Sequence, residues 1–126
     1  MFLYLSSLLW AEESQTAWFE QAHSNGEEIV FAARGDLWIV DIEGGEARQL
    51  LAESGKEAMP LLSSDGRTVL WMSSHQGESE IYQARIPCPL TKASLPLKKT
   101  QRVTWLNGTE RLLGFAETEE QIFIET

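Results

Sequence analysis

Few residues in this chain carry the chemistry of catalysis or metal binding. The two histidines, His23 and His75, sit in polar hairpin contexts, Ala-His-Ser-Asn-Gly and Ser-Ser-His-Gln-Gly. Neither belongs to a His-Glu-x-x-His pair, which would set two imidazoles on one helix face. The single cysteine, Cys88, lies between Pro87 and Pro89 with no adjacent basic residue or histidine to favour a thiolate. One cysteine also excludes an intrachain disulfide framework and a multi-cysteine zinc site. Serine is plentiful, yet no Gly-x-Ser-x-Gly elbow occurs. The acidic pairs Glu27-Glu28 and Glu119-Glu120 are neighbours on or beside strands. Their side chains therefore diverge to opposite faces and make a poor acid–base pair. Asp41 and Asp65 read as turn residues rather than ligands, and Asn107-Gly-Thr109 matches a glycosylation sequon. No catalytic, cofactor-binding or metal-ligating residue is assigned, and the chain reads as a non-enzyme.

Charge narrows the partners. The chain has 126 residues and a formal net charge of −9, which argues against a nucleic-acid surface as its main function. The charge is uneven. Residues 1–84 carry 4 Lys/Arg against 14 Asp/Glu. Residues 85–111 reverse this, with Arg85, Lys92, Lys98, Lys99, Arg102 and Arg111 against Glu110 alone, a local +5. Such a patch could hold an anion or a partner. Neither a Gly-rich phosphate cradle nor interleaved aromatic residues accompany it, so the expected reading is a solvated loop.

The elements that position these residues are strands. Glu28-Ile-Val-Phe-Ala32, Leu37-Trp-Ile-Val40 and Arg48-Gln-Leu-Leu51 are short β-branched and aromatic runs, split by Asn25-Gly26, Arg34-Gly35-Asp36 and Glu43-Gly44-Gly45-Glu46. These are hairpin signals, and no convincing helical period follows residue 20. The pattern then recurs. Ser24-Asn-Gly-Glu-Glu-Ile-Val-Phe-Ala32 overlays Ser64-Asp-Gly-Arg-Thr-Val-Leu-Trp-Met72 without a gap, an offset of 40 residues. Asp36-Leu-Trp-Ile39 matches Glu80-Ile-Tyr-Gln83 at an offset of 44, because the second hairpin, Ser73–Ser79, is longer. A weaker third copy is Thr118-Glu-Glu-Gln-Ile-Phe-Ile124, displaced by a proline-rich insertion at 87–99. That insertion holds three of the four prolines and cannot run through a sheet interior.

A period near 40 residues with about four strands per unit marks a β-propeller blade. Pro60-Leu-Leu-Ser-Ser-Asp-Gly-Arg-Thr-Val-Leu-Trp-Met-Ser-Ser74, followed by Glu80-Ile-Tyr82, resembles the WD40-like PD40 repeat of TolB and of the amino-terminal propeller of tricorn-type proteases. Gly35-Asp-Leu-Trp-Ile-Val-Asp-Ile-Glu-Gly-Gly-Glu-Ala-Arg-Gln-Leu50 resembles the opening blade of bacterial tricorn-like proteins. The third copy departs from the pattern, with Glu119-Glu120 in place of the Asp-Gly turn. The expected fold is all-β: two four-stranded antiparallel blades (about 17–52 and about 57–104) and part of a third (about 105–126), together an incomplete propeller over 12–126. Phe31, Trp38, Trp71, Tyr82 and Phe123 are expected to face neighbouring blades, where large rings fill the wedge between sheets.

The apolar run Met1–Ala11, followed by Glu12-Glu13, resembles the end of a secretory signal, with a hydrophobic strand as the competing reading. It is too short to span a membrane, which takes roughly 20 apolar residues. The resemblance implies a periplasmic or secreted, non-catalytic module that binds protein or peptide. One form is a substrate-gating propeller of a tricorn-like peptidase or hydrolase. The other is a TolB-like envelope interaction module without an attached enzyme. No cofactor is implied. Open blade edges would favour self-association.

Overall fold

The computed structural model describes residues 19–106, 108, 110–116 and 121–125. The hydrophobic run Met1–Ala11, the Glu119-Glu120 pair and Asn107 and Thr109 of the sequon lie outside them. Ten strands form three antiparallel sheets: β1 (Phe19–Ser24), β2 (Glu28–Ala33), β3 (Asp36–Asp41) and β4 (Arg48–Leu51); β5 (Glu57–Leu62), β6 (Thr68–Ser73), β7 (Glu80–Arg85) and β8 (Thr100–Arg102); β9 (Arg111–Phe115) and β10 (Ile122–Glu125). Strand order follows chain order in both four-stranded sheets. These are two propeller blades and the first two strands of a third, and the overlay seen in the sequence holds strand for strand. β2 and β6 begin 40 residues apart, at Glu28 and Thr68, and β3 and β7 begin 44 apart, at Asp36 and Glu80.

The recurring turn has a definite job. In Ser63-Ser-Asp-Gly-Arg67 the Ser63 hydroxyl donates to Asp65 Oδ1 (2.7 Å), which also accepts the Arg67 amide (2.9 Å). Gly66 follows with φ +72°. In the first blade Asn25 Oδ1 accepts the Glu27 and Glu28 amides (3.0 and 2.9 Å), ahead of Gly26 at φ +96°. Short polar side chains thus replace missing backbone partners, and glycine takes the left-handed position. The two turns also touch. Asn25 Nδ2 donates to the Ser64 carbonyl at 3.3 Å, and a Cβ on Gly66 would approach Glu28 Oε1 to 3.1 Å.

The core lies between blades. β6 has apolar residues on both faces. Val69 and Trp71 point towards the first blade with Tyr82, Ala84, Leu37, Ile39 and Leu62, while Leu70 and Met72 point towards the third with Ile81 and Leu112. Trp71 is fully buried, and its ring stacks on Tyr82 with centroids 6.1 Å apart. The first strands lie side by side and carry matching bulges. β1 breaks register between Glu20 and His23, and β5 between Ala58 and Leu61. Gln21 (φ 53°) and Met59 (φ 51°) occupy equivalent left-handed positions. Pro60 sits at this bulge on the edge strand of its sheet, the kind of position where a residue without an N–H is tolerated. Two amides of this edge strand are met from the neighbouring blade: Met59 N–H donates to Gln21 Oε1 (2.8 Å) and Leu62 N–H to His23 Nδ1 (3.0 Å).

Two aromatic expectations are corrected. Phe123 is 60% exposed, while its β10 neighbours Ile122 and Ile124 pack on the cluster of Leu70, Met72 and Ile81. Trp38 is only half-buried, and its indole N–H reaches the Ala33 carbonyl at 3.4 Å. Trp71 and Tyr82 lie in the core between the first two blades as expected, and Phe31 is buried.

These placements separate two substitutions that composition alone would rank together. Trp71→Ala should lower unfolding stability by about 3–5 kcal/mol, and Phe123→Ser should change it by roughly 0.5 kcal/mol or less. Urea denaturation of the two variants measures both, and equal losses would contradict this packing.

Candidate functional site

Most of the residues with catalytic chemistry serve the frame. His23 stands on strand β1 rather than in the hairpin expected for it, and its Nδ1 accepts the inter-blade bond from Leu62. Burial lowers its pKa, which keeps the ring neutral and able to accept. His75 lies in the β6–β7 hairpin, as expected, with Nδ1 2.8 Å from the Ser54 hydroxyl and 2.9 Å from the Ser54 carbonyl. A Ser Oγ this close to an imidazole has the spacing of a nucleophile and base. The carbonyl can only accept, and in the Nδ1–H tautomer that bonds it the ring does not take the hydroxyl proton at Nδ1. The contact instead fastens the loop before β5 to that hairpin, where a Cβ on Gly55 would meet the His75 backbone at 2.9 Å. Asp41 and Asp65 are turn residues, with Asp41 Oδ1 accepting the Glu43 amide at 2.8 Å. Among the described residues, no group of three or more His, Cys, Asp or Glu is arranged to hold a metal, and no helix is long and apolar enough to cross a membrane.

Glu80, the acidic residue of the Glu-Ile-Tyr motif, is buried and fully engaged. Arg102 Nη2 donates to Oε1 (2.8 Å), and the Thr104 hydroxyl donates to Oε2 (2.6 Å). Arg102 in turn donates to the Thr104 carbonyl and lies over Trp105, 5.5 Å from the ring centroid. Burial pushes the Glu80 pKa up, but the Thr104 hydroxyl, the Arg102 guanidinium and the Leu106 amide outweigh it, so the net shift is down. This network closes the outer edge of the second blade.

Sequence reasoning missed a second buried carboxylate. Glu57 opens β5 with no exposed surface, and neither of its carboxylate oxygens meets a donor. Burial, and then the charges of Asp36 and Glu53, push its pKa up to about 8. Protonation relieves its repulsion from Asp36, whose Oδ2 accepts Gln49 Nε2 at 3.1 Å. Glu53 Oε2, Tyr82 Oη and Trp71 Nε1 are likewise buried without partners. Nothing in the local sequence Gly-Lys-Glu-Ala-Met distinguishes Glu57 from the exposed glutamates around it.

At the other end of β6 the charge reverses. A cleft of about 580 Å³ is lined by Arg67, Arg85, Lys98 and Lys99, with Ile86, Pro87, Pro96 and Leu97 among its apolar walls and Ser94 and Cys88 beside them. Its volume falls in the range of ligand sites, about 300–1,000 Å³. The 87–99 insertion that forms one wall is not the solvated loop expected from its charge. Leu97 is buried in the core between the first two blades, with Leu90 and Leu95 packed against that core. Leu97 N–H donates to the Leu50 carbonyl (2.9 Å), and Arg48 Nη1 donates to the Leu90 carbonyl (3.0 Å). A single 3₁₀ turn, Lys92–Ser94, is closed by Thr91 and Ser94, whose hydroxyls lie 2.9 Å apart. The apolar residues spaced among the lysines were the available signal that this segment packs.

The turn residues bring Arg67 to the cleft. Arg67 immediately precedes β6, its carbonyl accepts the Ile86 amide (2.8 Å), and Arg85 ends β7 opposite Thr68. Asp65 is the nearby acidic residue. Its carboxyl is held below its ordinary value first by the Ser63 hydroxyl and the Arg67 amide, with the Arg67 and Arg85 charges adding to this.

No protein-family model matches the chain, and no characterised protein matches it by sequence. Solved structures do. The tricorn protease superposes with a TM-score of 0.62 at 18% identity, over 81% of this chain and 10% of that one. TolB from Acinetobacter baumannii gives 0.63 at 16% identity, over 84% and 26%. A putative TolB from Agrobacterium tumefaciens gives 0.53 at 22% identity, over 70% and 30%. The chain spans less than a third of the length of each, and at these identities the likeness is one of fold.

Glu57 makes a prediction about pH. A folded pKa raised to about 8 from an ordinary 4.5 means that the folded chain keeps a proton the unfolded chain has released. Stability is therefore lost as pH rises from 4.5 towards 8. His23 acts in the opposite sense, because its lowered pKa costs stability as pH falls below its ordinary value of 6.5. Glu57→Gln removes only the first effect. The variant should gain on the wild type by on the order of a few kcal/mol between pH 5 and pH 8, measured by denaturation at each pH. A constant difference across that range would contradict the assignment.

Proposed function

We propose that the chain is a non-catalytic propeller segment that binds protein or peptide, and that it gates substrate for an exported tricorn-like peptidase or hydrolase. The observation that carries the reading is the basic cleft at the end of the second blade. It is a ligand-sized concavity in a chain whose histidines and buried Glu80 are occupied in holding the frame together. The fold likeness to the tricorn protease supports the gating role, and the Met1–Ala11 run supports export to the periplasm or beyond. A TolB-like module acting in the cell envelope without an attached enzyme is the second reading, favoured by the two TolB chains among the structural neighbours. The coding sequence beyond Thr126 separates the two. A hydrolase domain there supports gating, and a propeller that closes without one supports the TolB-like reading.

The binding role is tested by incubating the purified chain with a mixed-sequence peptide library and recovering what it retains. Peptides should be retained and remain uncut. Cleavage that disappears in Ser54→Ala or His75→Ala would overturn the non-catalytic reading, and a chain that retains no peptide would overturn the binding role.

A further inference from the structure

We infer that the basic cleft recognises the carboxylate side chains of a short acidic segment in its protein or peptide partner, an inference that rests on the binding role proposed above. Arg67, Arg85, Lys98 and Lys99 converge on one cavity whose lining contains no acidic residue. None of these four cations has a described carboxylate within salt-bridge distance, and the nearby acid, Asp65, feels the Arg67 and Arg85 charges only as lesser influences. Four like charges held around one concavity repel one another, and an anionic ligand relieves that repulsion. The walls that set their spacing are anchored by Leu97 in the inter-blade core and by its amide bond to Leu50.

The lining also selects among anions. Guanidinium groups form paired, charge-assisted bonds to carboxylates, and the lysines add point charges at the mouth. Ile86, Leu97, Pro87 and Pro96 offer apolar surface beside these cations. That combination suits a Glu or Asp side chain with its methylenes and peptide backbone better than a bare inorganic ion. A long polyanion is disfavoured, since residues 1–84 carry 4 Lys/Arg against 14 Asp/Glu. At physiological salt, fields are screened beyond about 8–10 Å, so a segment of a few residues responds chiefly to the cleft.

Cys88 lines the cleft and is exposed, so it can report occupancy at the site itself. The full chain is titrated with acetylated, amidated pentaglutamate, with pentaglutamine and inorganic phosphate as controls, and the rate of Cys88 alkylation by iodoacetamide is followed. Pentaglutamate should bind, slow Cys88 alkylation and weaken as salt rises. The R67Q/R85Q variant should lose affinity about tenfold or more. So should K98Q/K99Q, whose two lysines are exposed and whose unfolding curve should match the wild type. If pentaglutamine binds as tightly as pentaglutamate and neither double variant matters, the acidic-segment inference falls while peptide binding stands. If phosphate protects Cys88 as well as pentaglutamate does at equal concentration, the cleft is a general anion site and the inference also falls. If neither peptide binds and the library is also ignored, the broader reading falls with it.

Discussion

The structure depends on a sheet that has no face to give to water. In β6, Val69 and Trp71 need apolar cover on one side while Leu70 and Met72 need it on the other. A single layer cannot satisfy both, and a barrel or sandwich would leave one side polar. Stacking sheets face to face, with a neighbour on each side, meets the demand, and the wedge-shaped gap takes the large Trp71 and Tyr82 rings. Everything else in the described chain either enforces that stacking or is carried by it.

Enforcement comes from polar groups. As an edge strand, β5 turns the backbone donors of Met59 and Leu62 towards a packed interface, where an unmet donor costs about 1–3 kcal/mol. Gln21 and His23 of the neighbouring blade supply the acceptors, so the first strand of one sheet is completed by side chains of another. The stacked Asn25-Gly26 and Asp65-Gly66 turns and the Ser54–His75 contact repeat the device at either end. The basic cleft is a product of the same frame. The Asp65-Gly66 turn delivers Arg67, β7 delivers Arg85, and the insertion is pressed against both blades by its leucines.

The repeat was legible because its carriers are local. Asn-Gly and Asp-Gly turns, short β-branched runs and their 40-residue offset each reflect backbone geometry within a few residues. They located β2, β3, β4, β6 and β7 closely. The acidic residue of Glu-Ile-Tyr was visible too, though not its reason, because Arg102 and Thr104 lie more than 20 residues further along. Glu57 was illegible, since it is the fold that brings it against the Gly35 turn and near the Asp36 and Glu53 charges. The cleft was half legible. Its positive charge stood out between 85 and 111, but Arg67 belongs to the preceding acidic stretch and joins only through the β6–β7 pairing. Phe123 was misread because β10 places Ile122 and Ile124, not Phe123, against the second blade.

The claim that blades complete one another through side chains is open to direct test by amide hydrogen exchange at single residues. β5 is an edge strand, and the Met59 and Leu62 amides donate to Gln21 Oε1 and His23 Nδ1 rather than to β6, so their protection comes from those two side chains. Both should exchange as slowly as the β2–β3 ladder amides in the wild type. His23→Ala should selectively speed Leu62, and Gln21→Ala should selectively speed Met59. Fast exchange of both amides in the wild type, with the β2–β3 ladder still protected, would contradict the account.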